Sequence, residues 1–260
     1  IKIRHTLPAS SSWPGGIPPE VIAAGDAPAG KAEGIVATEV GQGVSVTLRS
    51  SDPFARWEQA SVIRGAGKGT VSAVAYAALG DITASQFQSL ANIQRELGAD
   101  VRLSNRQNVV FRGLQEEQLR TLFDRLEAIG MARPGAELAR DVVACPGADT
   151  CNIAVTQSRG LAKAIGERLE EEGLAEVGGV RINISGCTNS CGQHHASDIG
   201  LFGAERRAHG RSLPGYQLLL GGYVGDEQIH FGQKALRLPA RTAPEGVARV
   251  VRRFAEERNA

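Results

Sequence analysis

The sequence predicts an α+β protein in two parts, and three observations lead there. Residues 55–135 alternate between strand-like and helical periodicity in the order strand, helix, strand, strand, helix. Residues 136–260 carry a longer mixture of helices and strands. All four cysteines, Cys145, Cys151, Cys187 and Cys191, fall in that second part as two close pairs.

The first part is read from its punctuation. A small apolar run over 70–78 predicts a strand. Thr83–Ala84–Ser85–Gln86 has the form of a capping box. Phe87, Leu90, Ala91, Ile93 and Leu97 follow at helical spacing, and Gly98 ends the helix. Residues 101–104 predict a strand, Arg106–Gln107–Asn108 a turn, and Val109–Val110–Phe111 a return strand. A second helix is expected over 115–129, with Leu119, Leu122, Phe123, Leu126 and Ile129 on one face and Gly130 after it. That order is a ferredoxin-like half-domain. Residues 1–54 read as an irregular segment or linker, punctuated by Pro14–Gly15–Gly16 and Pro18–Pro19, with one strand suggested by Val44, Val46 and Leu48.

In the second part a helix is expected over 153–172, and an alternating strand over 180–184 runs into Gly186–Cys187. Another strand over 216–220 precedes Gly221–Gly222. A final helix over 244–258 shows Val247, Val250, Val251 and Phe254 on one face.

Composition bounds the function. The chain has 260 residues, 42% hydrophobic and 22% charged, with a net charge of +1. No global field argues for nucleic acid or a membrane surface, and no apolar run approaches the ~18–20 residues of a membrane span. The start at Ile1 has neither an initiator Met nor signal-peptide organisation. The expectation is a cytoplasmic protein, processed or excised from something longer. Four cysteines in a chain of this size suit metal or redox use better than a disulfide framework.

Five residues separate Cys145 from Cys151, and three separate Cys187 from Cys191. The first gap is loose for a zinc knuckle, which places cysteines about two to four residues apart. An iron–sulfur cluster also takes four thiolates and spans a wider distance. Cys145–Pro146–Gly147 is a turn that cannot continue a helix, and Gly186 and Gly192 flank the second pair. Spacing and turn chemistry leave cluster, zinc, and disulfide or free thiols all open, with the cluster favoured.

At these residues the chain resembles a known family. Ala144–Cys145–Pro146–Gly147–Ala148–Asp149–Thr150–Cys151 and Gly186–Cys187–Thr188–Asn189–Ser190–Cys191–Gly192–Gln193–His194–His195 are similar to the two cysteine motifs of sirohaem-containing sulfite and nitrite reductases. Asp198–Ile199–Gly200–Leu201–Phe202–Gly203 fits as well, and the resemblance covers roughly residues 55–255. Thr188 departs from it, standing where the family commonly has Pro.

The resemblance implies an α/β cluster–sirohaem domain over 136–260 after the half-domain over 55–135. It implies that Cys145, Cys151, Cys187 and Cys191 ligate one [4Fe–4S] cluster. Cys191 would also bridge to the sirohaem iron, with Asn189 beside the haem. The implied reaction is six-electron reduction of sulfite to sulfide or nitrite to ammonia. No flavin or nicotinamide motif is visible, so electrons are expected from a ferredoxin or a flavoprotein reductase.

Sirohaem carries many carboxylates, and residues 101–114 hold Arg102, Arg106 and Arg112 without an acid. An extended 101–106 segment would project Arg102, Ser104 and Arg106 to one face and turn Val101 and Leu103 to the core. Residues 102–108 also resemble a family segment that recurs in both halves of typical members. Arg102, Arg106 and Gln107 are therefore candidate cofactor contacts; solvated strand arginines are the plain alternative. Typical members have two halves, with haem-contacting and anion-binding residues in the first. This chain resembles the second, so the missing half, or a second copy of the chain, is an expected partner.

Other features carry less. His194 and His195 are candidate proton donors or local hydrogen-bonding groups. Lys234 reads as a surface lysine, and the acidic run over 167–176 as a solvated helix end. Gly65–Ala66–Gly67–Lys68–Gly69–Thr70 lacks the spacer of a phosphate loop, and Gly221–Gly222 is not a dinucleotide loop. Two alternatives remain beside the reductase: a precorrin-3B synthase-like oxygenase, which shares the cluster motif, and a non-enzymatic zinc or iron–sulfur module. Gln193–His194–His195 favours the reductases.

Overall fold

The computed structural model describes residues 50–64, 69–208, 210–224 and 229–257. The expectations for residues 1–49 and the 65–68 part of the glycine-rich run lie outside these residues. The Asp52 carboxylate accepts the Ala55 N–H at 2.9 Å and starts helix α1, Pro53–Ser61, with Pro in its first turn. The sequence reading did not name this helix. Its Trp57 is fully buried and lies 5.5 Å, ring to ring, from Phe123.

Four strands follow: β1 Val62–Arg64, β2 Val71–Ala75, β3 Asp100–Leu103 and β4 Val109–Leu114. They form one antiparallel sheet in the order β1-β2-β4-β3. Helix α2, Ala84–Leu97, begins with the expected capping box. The Thr83 hydroxyl accepts the Gln86 N–H at 3.2 Å, Thr83 N–H donates to Gln86 Oε1 at 2.9 Å, and Gly98 caps the far end at φ 65°. Helix α3, Leu119–Glu127, is shorter than the expected 115–129, because Glu116–Gln118 form a separate 3-10 turn. Leu90 and Ile93 of α2, and Leu119, Leu122, Phe123 and Leu126 of α3, share one core with Val109, Phe111 and Leu114 of β4. The ferredoxin-like half-domain is therefore present.

One expectation fails inside it. The extended run ends at Leu103, which is 73% exposed rather than core-facing. Ser104 N–H donates to Asn108 C=O at 2.9 Å and closes a turn there. That turn rotates Arg106 off the face that carries Arg102.

The second part is a mixed five-stranded sheet, order β11-β8-β7-β6-β5. Its strands are β5 Val143–Ala144, β6 Ile182–Ser185, β7 Ile199–Ala208, β8 Arg211–Leu220 and β11 Gln233–Pro239. Pairs β5–β6 and β6–β7 are parallel; β7–β8 and β8–β11 are antiparallel. A small ribbon, β9 Tyr223–Val224 with β10 Ile229–His230, precedes the edge strand. Helices α4, Ser158–Glu171, and α5, Ala243–Glu257, pack through Leu161, Ala162, Ile165, Leu169, Val247 and Val251 against Ile182, Ile184 and Leu201.

The helix expected over 153–172 starts five residues late, at Ser158. Val155 and Thr156 direct their N–H groups to the Gly186 carbonyl, at 2.8 and 3.1 Å, and so belong to a loop. The strand expected over 180–184 runs instead from Ile182 to Ser185. No helix among the described residues is long and apolar enough to cross a membrane.

Candidate metal centre

Parallel strands β5 and β6 end side by side, and each leads directly into a cysteine motif. Cys145 follows Ala144, and its N–H donates to Ile184 C=O at 3.2 Å. Cys187 follows β6 after Gly186. Loops beyond the carboxyl ends of neighbouring parallel strands are a natural place to assemble a site.

Gly186 is the joint between the two motifs. Its N–H donates to Cys145 Sγ at 3.2 Å, while its carbonyl accepts from Val155 and Thr156. A Cβ there would lie 2.9 Å from Gly147 Cα and 2.9 Å from Thr156 O, so only glycine fits without displacing backbone. The first loop is closed further by Cys151 N–H on Gly147 C=O at 3.0 Å. Ser158, at the start of α4, donates to Cys145 C=O at 2.6 Å.

All four cysteines are free thiols; Cys145, Cys151 and Cys187 are half-buried and Cys191 is exposed. Among the described residues, no three His, Cys, Asp or Glu side chains are drawn together tightly enough to hold a single metal ion. The donor set is thiol only, the chemistry that iron–sulfur clusters take. Glycine-cradled loops with a backbone N–H already on a ligand sulfur fit such a cluster.

The half-domain supports the first motif. Gln107, at φ 66°, donates from Nε2 to Ala144 C=O at 3.1 Å, one residue before Cys145. Arg106 is buried; its Nε meets Asp141 Oδ2 at 3.0 Å and its Nη2 the Asp141 carbonyl at 2.7 Å. Asn108 donates to the same carboxylate at 3.0 Å, and so does Glu137 N–H at 3.1 Å. The carboxyls of Asp141 and Glu137 hold the Arg106 guanidinium above its ordinary pKa despite burial. Desolvation lifts the Glu137 carboxyl above the ordinary range.

Arg102 points elsewhere. It is exposed and pairs with Asp100 at 2.5 Å, a carboxylate that Arg112 also reaches at 3.4 Å. Asn189 lies exposed, two residues before Cys191. Thus Gln107 touches the cysteine loop, Arg106 supports it from within the protein, and Arg102 stands apart from both. The acidic run over 167–176 is laced to arginines: Glu170 with Arg133 and Arg140, Glu172 with Arg168 and Arg252, and Glu176 with Arg56.

His194 is fully buried, its ring 4.2 Å from that of His195 and 4.9 Å from that of Phe202. Burial, then the neighbouring His195, pushes its pKa down from 6.5 to about 4. At neutral pH it is an uncharged imidazole and a poor proton source. Sequence reasoning missed Asp141, Ser158, Asn183 and Ser185. The first two gave no signal. The last two are polar at alternate positions of β6, which normally marks a wet face, yet both are buried.

Comparison with known proteins agrees with this architecture. The family profile described as "Nitrite/Sulfite reductase ferredoxin-like half domain" matches residues 64–129. "Nitrite and sulphite reductase 4Fe-4S domain" matches residues 135–258. The chain is 37% identical over 159 residues to the ferredoxin–nitrite reductase of Synechococcus elongatus, covering 61% of this chain and 31% of that protein. It is 30% identical over 189 residues to sulfite reductase [ferredoxin] 2 of Mycolicibacterium paratuberculosis, covering 69% and 34%. The solved structure of the Mycobacterium tuberculosis NirA protein superposes with a TM-score of 0.64 at 27% identity, covering 76% of this chain and 37% of that one. The chain thus spans about a third of the length of these curated relatives. It belongs to the nitrite and sulphite reductase family, of which it carries a ferredoxin-like half domain followed by the 4Fe-4S domain.

Proposed function

We propose that this chain supplies the cluster-bearing part of a sirohaem-dependent nitrite or sulfite reductase that draws its electrons from a ferredoxin. Cys145, Cys151, Cys187 and Cys191 would hold one [4Fe–4S] cluster, and Cys191 would also bridge to the sirohaem iron. The observation that carries this reading is the Gly186 joint, which brings two all-cysteine motifs together with its N–H on Cys145 Sγ at 3.2 Å.

When bound, the coupled cofactors supply stored electrons and an iron that takes the anion. The protein's residues do the rest. Gly186 N–H spreads the negative charge of the Cys145 thiolate, a contact that raises a cluster's potential. Ser158 and Gln107 fix the carbonyls on either side of the first loop's start, at Cys145 and Ala144. His194 stays neutral at pH 7 and so is a poor proton source. For nitrite the balance is six electrons and eight protons to ammonium and two waters. For sulfite it is six electrons and six protons to sulfide and three waters. Ferredoxin and the anion as partners rest on the relatives named for them.

Anaerobic purification, metal analysis and an optical spectrum test the reading. Four iron per chain with sirohaem bands is the expected result, with turnover of either anion by reduced methyl viologen once the missing half, or a second copy of the chain, completes the site. One zinc and no iron would overturn it. A cluster spectrum without haem bands would remove the bridging role of Cys191.

A further inference from the structure

We propose that Asn183, Ser185 and His194 form a positioning network that fixes Cys191 by gripping the backbone of the residue after it. The proposal rests on the reading of Cys191 as a cofactor ligand, and nothing in the family matches assigns these three residues.

Strand β6 has two buried faces. Ile182 and Ile184 point into the core with α4 and α5. The period of two then turns Asn183 and Ser185 to the opposite face, where they are also buried. On that side they meet Gly192. The Ser185 hydroxyl accepts the Gly192 N–H at 3.0 Å, and Asn183 Nδ2 donates to the Gly192 carbonyl at 2.9 Å. Both polar groups of one peptide residue are thus held by side chains of one strand. The fit leaves no freedom, since a Cβ on Gly192 would lie 2.0 Å from Ile184 O.

His194 completes the network. Its Nδ1 lies 2.8 Å from Ser185 Oγ. A serine hydroxyl has one proton and two lone pairs. With one lone pair taken by Gly192 N–H, the hydroxyl keeps its proton and a second lone pair, and one or the other pairs with His194 Nδ1 according to the imidazole tautomer. The imidazole therefore locks the hydroxyl rotor that holds Gly192.

The grip is needed because the loop is strained. Ser190 and Gln193 flank Cys191–Gly192 at φ 61° and 57°, in the left-handed region that non-glycine residues seldom occupy. Such conformations persist only where the surroundings impose them. Releasing Gly192 lets both residues relax, and the exposed Cys191 thiol moves with them.

Two substitutions of His194 separate positioning from packing. His194→Phe keeps a flat ring between His195 and Phe202 but removes the nitrogen that pairs with Ser185. His194→Asn loses the ring but presents an amide, able to accept or donate, close to the Nδ1 position. Iodoacetamide labelling of the cluster-free full-length chain, resolved by peptide mass spectrometry, reads each cysteine separately. His194→Phe and Ser185→Ala are expected to raise labelling at Cys191 by about fivefold, the factor that goes with one net hydrogen bond. Cys145, Cys151 and Cys187 should stay unchanged, and His194→Asn should resemble the parent. In the cluster-loaded chain, the electron paramagnetic resonance of the reduced cluster should shift in His194→Phe and not in His194→Asn.

The proposal is overturned if His194→Asn labels fast while His194→Phe does not, because packing is then the whole role. It is overturned equally if all four cysteines change together. If the parent chain carries no four-iron cluster, the ligand reading fails by itself, and the labelling experiment still decides whether Cys191 is positioned.

Discussion

The two cysteine motifs leave neighbouring strands of one sheet, yet they are held by different means. The first, at Cys145 and Cys151, hangs from the half-domain: Gln107 bonds Ala144, while Arg106 and Asn108 grip Asp141 four residues upstream. The second, at Cys187 and Cys191, is braced inside its own sheet by Asn183 and Ser185. They are joined where Gly186 N–H meets Cys145 Sγ and where Cys145 N–H meets the Ile184 carbonyl. The first pair of ligands therefore reports on how the half-domain sits. The second reports only on β6.

The largest effects should come where backbone meets backbone. Gly192→Ala places a methyl against the Ile184 carbonyl, and no side-chain rotation relieves it. We expect a loss of about 3 kcal/mol or more, in the range of severe core strain, read as the urea midpoint of the cluster-free chain. A fall below about 1 kcal/mol would mean that the second loop is not seated as described. Asp141→Ala comes next for the first motif. It leaves the buried Arg106 guanidinium only the longer 3.4 Å carboxylate contact to Glu137, so the cost falls toward the lower end of the about 3–5 kcal/mol of a broken buried pair. Hydrogen exchange should then rise around 143–151 while the 183–194 region stays protected. Equal loosening of both would erase the contrast between the motifs.

A smaller effect depends on pH. The His194 pKa is lowered in the folded chain, to about 4 from 6.5. Between those values the unfolded chain binds the proton and the folded chain does not, so stability rises with pH across that window. The contribution is complete above about pH 6.5 and is lost as pH falls toward 4. The parent should therefore lose more of its melting temperature between pH 7 and pH 4.5 than His194→Asn, which has nothing to titrate there. Equal slopes would place the imidazole in contact with water.

Much of this arrangement was legible in the sequence where local chemistry determines it. Thr83 with Gln86 and the glycine at 98 fixed α2, and the cysteine spacing with its flanking glycines marked both loops. Partners distant in sequence were not legible. Nothing in residues 101–108 says that Arg106 meets Asp141, because the turn at Ser104–Asn108 breaks the alternation that would have aligned it with Arg102. Similarly, Asn183 and Ser185 follow the pattern of an exposed strand face. The loop after Cys191 folds back over them and brings Gly192 onto both side chains. The helix expected from 153 would open on Ile153, Val155 and Thr156, β-branched residues that favour extended backbone, and the Gly186 carbonyl anchors the N–H groups of Val155 and Thr156 in a loop.

The smallest predicted effect separates two arginines that the sequence presented as equals. Arg102 is exposed and, among the described residues, bonded to Asp100 at 2.5 Å and to the Val101 carbonyl at 3.0 Å. Exposed pairs of this kind contribute about 0–1 kcal/mol. Arg102→Ala should therefore leave the melting temperature nearly unchanged, whereas Arg106→Ala should lower it steeply by leaving the Asp141 carboxylate buried without its cation. The same pair of variants bears on the cofactor. If Arg102 serves sirohaem, its loss weakens haem retention in the loaded protein while the cluster spectrum stays intact. If haem content and stability are both unchanged, Arg102 is a solvated strand residue, and the half-domain acts on the metal centre only through Arg106, Gln107 and Asn108. That outcome would sharpen the contrast between the motifs: the first would depend on the half-domain for its shape and for nothing else.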